Sequence, residues 1–189
     1  MSKRPQSSRD RFVSMAAKLF SRHGYAAVGL NRIIDKSGAP KGSLYHHFPE
    51  GKEQLAAEAV AWAAEQFTTT LQTEIDAAPS TAVAIRRVAE RVAGWLEKSA
   101  FRDGSPLTIV AVETGAFNAV LREACRQGYA QWQAILSTAL LAEGRSQARA
   151  EARAELILSA FEGAMILCRV HGSSEPLRSV GTQLEEMLQ

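Results

Sequence analysis

The sequence predicts an all-α protein of about nine helices, and three observations carry that expectation. Apolar residues recur at helical spacing from Phe12 almost to the C-terminus, no segment shows the apolar–polar alternation of a strand, and no internal repeat interrupts the pattern. With 189 residues, 46% of them hydrophobic and 22% charged, the chain can bury a sizeable core as one compact unit with a small second lobe.

The elements follow in order. Ser7 offers an N-cap with Asp10 three residues on, and Phe12, Ala16, Leu19 and Phe20 form the apolar face of a first helix that His23-Gly24 ends. Gly29 opens a short second helix with Leu30, Ile33 and Ile34 on one face, closed by Ser37-Gly38-Ala39-Pro40. Proline is tolerated at or just before a first helical turn, where its missing N–H has no intrahelical partner to lose, so Lys41 to His47 reads as a third helix. Two short helices around a tight turn make a helix-turn-helix pattern. A long Ala-rich helix then runs from Lys52 to about Ala77 and joins the two lobes. Ser80 or Thr81 caps a fifth helix with an expected buried stripe of Ile85, Val88, Val92, Trp95 and Leu96. Pro106 starts a short sixth, through Glu113. Phe117, Leu121, Ala124, Gly128, Trp132, Ile135 and Ala139 mark the buried stripe of a seventh. Leu156, Ala160, Phe161, Ala164, Leu167 and Cys168 do so for an eighth, and Pro176 begins the last. The expected division is a helix-turn-helix domain over 1–51 and a helical domain over 52–189.

Composition excludes several classes. Thirteen glycines and six prolines are too few for collagen-like or low-complexity sequence. The richest apolar stretch, Ala154 to Val170, is interrupted by Glu155, Glu162 and Arg169, and Met1 to Gln6 has no signal-peptide core, so the expectation is a cytoplasmic protein without membrane association. Cys125 and Cys168 sit inside apolar helical patterns and read as reduced core thiols. No nucleophile–base pair, phosphate loop or metal cluster is evident, and neither a cofactor nor a metal is expected.

The net charge of +2 hides an asymmetry. Residues 1–52 carry ten Lys/Arg against three acids, a balance of +7, while the remaining 137 residues carry 12 against 17, a balance of −5. A basic lobe joined to an acidic one suggests that the first meets a polyanion and the second does something else. The third helix carries the chemistry for this. A major groove admits one α-helix, and Lys41, Ser43, Tyr45 and His46 supply a cation, a hydroxyl, a phenol and an imidazole on one short segment, with Gly42 allowing close backbone approach. His46 and His47 point about 100° apart on a helix and do not suit a shared metal.

The run Ala16-Ala17-Lys18-Leu19-Phe20, then Gly24-Tyr25, Ile33-Ile34 and Gly38-Ala39-Pro40-Lys41-Gly42-Ser43-Leu44-Tyr45-His46-His47-Phe48, resembles the DNA-binding domain of the TetR/AcrR family of ligand-responsive transcription regulators. The segment Phe48-Pro49-Glu50-Gly51-Lys52-Glu53-Gln54-Leu55, one residue longer than in most members, is similar to the LmrA/YxaF-like branch. The resemblance implies that Tyr45 and Lys52 hold phosphates, with Lys52 at a helix N-terminus that favours anions, and that Leu44 and Phe48 pack. Many members carry a hydroxyl residue just before the second helix, where this chain has Val28-Gly29; Arg32, exposed on that helix, is the expected compensating contact.

For the second lobe the resemblance implies an effector pocket and a dimer interface of two helices from each subunit. Trp95, Phe117, Trp132, Phe161 and Met165 are large groups with few charges nearby, and Glu113 is an acid in apolar surroundings, so these are the expected ligand-binding residues. Ala160, Gly163 and Ala164 permit close approach of a partner helix and are the expected dimer contacts. The function expected is a homodimeric repressor released from a palindromic double-stranded operator by a small apolar or aromatic effector, and the resemblance to the branch implies a flavonoid-like or other planar aromatic drug. The competing reading is an all-α small-molecule-binding protein or enzyme whose basic lobe is incidental.

Overall fold

The computed structural model describes residues 7–189; Lys3 and Arg4 of the basic segment, and the signal-peptide expectation for Met1 to Gln6, lie outside the described residues. Among the described residues there are nine helices and no strand. Their packing forms two units: one runs through Glu65 and takes in Ser105–Gly128, and the other is Gln66–Gly104 with Tyr129–Gln189.

The first unit begins with α1 (Ser8–His23), started by a capping box in which the Ser7 hydroxyl accepts the Asp10 N–H at 3.1 Å and the Asp10 carboxylate accepts the Ser7 N–H at 3.3 Å. Gly24 ends it at φ 82°, a backbone region that L-residues avoid. Next come α2 (Leu30–Ser37) and α3 (Lys41–His47), whose connecting turn is held by Arg11 Nη1 donating to the Gly38 carbonyl at 2.9 Å. The core of the three helices is Phe12, Phe20, Ile33, Leu44 and Phe48, all fully buried, with Phe12 edge-on to Phe48 at 6.3 Å. Burying each such side chain contributes about 2–3 kcal/mol. The start of α4 (Lys52–Ala77) closes this core with Leu55, Ala56, Ala59 and Val60, and α6 (Pro106–Thr114) packs on α1.

The second unit is built on α5 (Thr81–Lys98), α8 (Gln147–His171) and α9 (Glu175–Leu188), with the later turns of α4 and of α7 (Ala119–Ala142). α5 and α9 approach closely at Gly181, where a Cβ would fall 2.5 Å from the Ala89 Cβ. Ion pairs of Arg86 with Glu185 at 2.8 Å, and of Arg178 with Glu90 and Glu97, edge the same seam.

The helix order, and the starts given for α1 to α6 and α9, match the sequence reading, including α4 from Lys52 to Ala77. The packing division differs from a boundary at 51/52: α4 serves both units and α6 joins the first, because the three-helix core needs apolar cover that residues 7–51 do not supply. The expected buried stripes need correction at four positions. Phe117 precedes α7, which Asn118 caps by accepting the Leu121 N–H at 2.9 Å, and the phenyl is 79% exposed. Trp95, Leu156 and Leu167 also face outward, at 43%, 48% and 48% exposure, because α5 and α8 carry apolar residues on more than their core-facing side.

Candidate nucleic-acid interface

α3 is positioned by one buried residue, Leu44, which anchors the helix on the core and turns the others outward. Lys41, Gly42, Tyr45 and His46 are exposed, Ser43 is half-buried, and His47 packs its ring near Phe48 at 6.3 Å. The Ser43 hydroxyl donates to the Pro40 carbonyl at 2.7 Å, so its remaining capacity is to accept, as from an amino group on a base edge.

Arg32 lies exposed on α2, with Nη2 2.8 Å from His23 Nε2, so its guanidinium is tethered to the end of α1. Lys52, in the first turn of α4, holds its ammonium 4.1 Å from the centre of the Tyr25 ring. Burial pushes the Lys52 pKa below that of a free lysine, and the Glu113 carboxylate partly restores it. Tyr25 moves the other way, its phenol raised by burial and then by the charge on Glu53. These residues together present cations, hydroxyls and an aromatic on one unit, the donor set that phosphate and base-edge contacts require.

Several supports were not named from the sequence. Tyr25, under Lys52, was noted only within a motif. His23, which holds Arg32, and Arg11, which holds the turn, gave no local signal because their partners are 9 and 27 residues away. Glu113, expected to face an effector, belongs to the first unit, where its carboxylate accepts the Ala26 N–H at 2.8 Å.

The remaining expected ligand residues fall in the second unit, apart from Phe117 in the first. Trp132, 4% exposed, packs edge-on to Phe67 at 4.7 Å and to Tyr129 at 5.4 Å, and the Tyr129 hydroxyl donates to Glu162 at 3.2 Å. Phe161 is buried and Met165 half-buried on the same helix as Glu162. The hydroxyl oxygens of Thr68 and Ser137, on α4 and α7, are buried without a protein partner. Of the expected dimer residues, Ala164 faces the core, Ala160 is half-buried and Gly163 is exposed. Among the described residues no group of three His, Cys, Asp or Glu could hold a metal ion, and no helix is long and apolar enough to cross a membrane.

A helix-turn-helix unit that presents a polar, cationic recognition helix, joined to a larger helical unit, defines a DNA-binding transcription regulator. Residues 12–59 match the model of bacterial regulatory proteins of the tetR family, and residues 81–183 match the LmrA/YxaF-like transcriptional regulator C-terminal domain. The chain belongs to the TetR family of transcriptional regulators, with an LmrA/YxaF-like C-terminal domain. It is 34% identical over 181 residues to the HTH-type transcriptional regulator LmrA of Bacillus subtilis, covering 96% of each chain. It is 33% identical over 177 residues to YxaF of the same organism, covering 94% of this chain and 93% of that one. Among solved structures, a TetR transcriptional regulator from Chloroflexus aurantiacus superposes with a TM-score of 0.80 at 31% identity, covering 95% of this chain and 92% of that one. One from Legionella pneumophila has the same fold, with a TM-score of 0.85 at 18% identity and coverage of 97% and 98%.

Proposed function

We propose that the chain acts as a homodimeric repressor that binds a near-palindromic operator and leaves it when a small aromatic effector binds the second unit. The observation that carries the DNA part is the outward row on α3, with Leu44 buried and Lys41, Tyr45 and His46 free to enter a major groove. Lys41, Gly42, Ser43 and His46 then meet base edges or the adjacent backbone, while Tyr45, Lys52 and Arg32 take phosphates.

Dimer formation is supported by the outer side of α8. Leu156, Ala160, Gly163, Leu167 and Val170 repeat at spacings of 4, 3, 4 and 3 residues, the seam pattern of packed helices, and Val170 is 75% exposed. Gly163 has open space where a Cβ would stand, so a partner helix can come close there, while Ala164 packs inward. Two identical subunits then space their recognition helices for successive major grooves, about 34 Å apart on B-DNA.

For the effector, the aromatic group of Phe67, Tyr129 and Trp132, with Phe161 and Met165 on α8 of the same unit, suits a flat guest, whereas Trp95 faces outward. Glu162 and the unpartnered hydroxyls of Thr68 and Ser137 favour a guest that hydrogen-bonds, such as a phenol. Release follows if this guest binds best to a dimer whose recognition helices are wrongly spaced.

The deciding experiment selects DNA from a random pool with the purified protein and measures binding of the selected duplex by gel shift across salt. A steep fall in affinity with rising salt and a preference over random DNA are expected. The same duplex then serves to screen planar aromatic compounds for release. Binding no tighter than to random DNA at every salt concentration would end the repressor reading.

A further inference from the structure

α6 brings an acid, Glu113, onto the α1–α2 turn of the unit that carries the recognition helix. Glu113 Oε2 accepts the N–H of Ala26 at 2.8 Å across 87 residues of sequence. Its other oxygen lies against Gly24, where a Cβ would stand only 2.2 Å away, so the carboxylate occupies the room that the missing side chain leaves. Ala26 is exposed, and its N–H would otherwise bond water; burial does not force this contact.

Between those two contact points sits Tyr25, whose ring carries the Lys52 ammonium at 4.1 Å. A second tie runs alongside: the Asn118 amide donates to Glu53, the residue after Lys52, while Asn118 caps α7. The end of α6 and the start of α7 therefore grip the α1–α2 turn and the first turn of α4 at adjacent points. A carboxylate near an incoming phosphate costs binding energy through like-charge repulsion, so attraction for DNA does not explain its presence. Fixing the turn does, since the turn sets both the entry of α2 and the ring on which Lys52 rests.

We infer that Glu113 is a positioning residue for operator binding, which anchors the α1–α2 turn from α6 and through Tyr25 sets the place of Lys52. The inference rests on the reading of Lys52 as a phosphate contact.

Three variants test it on the full-length protein with the selected duplex and a random duplex. Glu113→Ala removes the acceptor, Glu113→Asp keeps the charge but withdraws it by one methylene, and Glu113→Gln keeps an acceptor oxygen at the same reach without the charge. Glu113→Ala and Glu113→Asp should each lose about tenfold or more for the selected duplex and a similar factor for the random duplex, since a phosphate contact is blind to sequence, with a flatter salt dependence and with helicity and sedimentation unchanged. Glu113→Gln should stay within about twofold of wild type, because the acceptor and its reach are retained. Should Glu113→Ala fail to fold, Glu113→Asp decides the matter. Wild-type affinity in Glu113→Asp, or a Glu113→Gln protein as weak as Glu113→Asp, overturns the inference. Lys52→Ala serves as the parallel control: a loss there with none in the Glu113 variants sinks the positioning role alone, and no loss at Lys52 sinks the phosphate reading beneath it.

Discussion

The Lys52 ammonium stands 4.1 Å from the centre of the Tyr25 ring, so a cation of α4 is steadied by an aromatic from the α1–α2 turn. A lysine held on a ring face loses less side-chain freedom when it meets a phosphate than a free one does, since part of the ordering has already occurred.

Lys52→Ala and Tyr45→Ala should each weaken operator binding by about 1–2 kcal/mol, near five- to thirtyfold, and Lys52→Ala, which removes a cation, should also flatten the dependence of affinity on salt. Both leave helicity and melting temperature close to wild type, since neither side chain lies in the core. Gel shifts at several salt concentrations measure the effect, and an unchanged affinity and slope in both variants would place the phosphate surface elsewhere.

If α8 forms the proposed dimer interface, Leu167→Glu should leave the protein a monomer, because it sets a charge within the outer seam of α8. Sedimentation reads the mass directly. Operator affinity should fall with it, since one recognition helix then meets one half-site, and a variant that still sediments as a dimer would move the interface away from α8.

Cys125 should resist thiol reagents at pH 8 until the protein unfolds. Its sulfur is buried, 3.6 Å from the Leu107 carbonyl, and desolvation pushes its pKa up from 9.0 to about 11. The raised value means that the folded state holds its proton longer than the unfolded state. The associated stability is present in full below about pH 9 and is lost as pH rises towards 11. Denaturant midpoints across this range should therefore decline in the wild type more than in Cys125→Ala.

Gly181→Val should destabilise the second unit by about 1–3 kcal/mol, the range typical of overpacking. Its Cβ would meet the Ala89 Cβ at 2.5 Å, and relief requires α5 and α9 to separate. Chemical denaturation gives the loss, and Ala89→Gly in the same chain should recover part of it. A double variant as unstable as Gly181→Val would show that the two positions do not press on each other.

Local sequence was a good guide wherever the information is local. The Ser7–Asp10 capping box, Gly38 after α2 and Pro106 at the start of α6 each announce a helix boundary within a turn of where it falls. The recognition helix was legible for the same reason, as one apolar residue, Leu44, among polar ones. Trp95 and Leu167 were misread because periodicity gives a phase but not the number of apolar faces, and α8 has an inner row through Ile157, Phe161 and Cys168 beside its outer one. The surroundings of Glu113 in sequence are apolar, which suggested a pocket. Its partner comes from a turn 87 residues earlier, and no windowed pattern encodes that distance.

The way α4 and α7 are shared between units bears on how such proteins can be recombined. Keeping each unit whole would take three junctions, after Glu65, Gly104 and Gly128, and the first and last of these fall inside α4 and α7. A single crossover in the Pro49-Glu50-Gly51 linker would instead pair a borrowed three-helix head with foreign residues at the positions of Leu55, Ala56, Ala59 and Val60, which line its floor. Hybrid chains should therefore survive only when the first turns of α4, the whole of α6 and the start of α7 travel with the head.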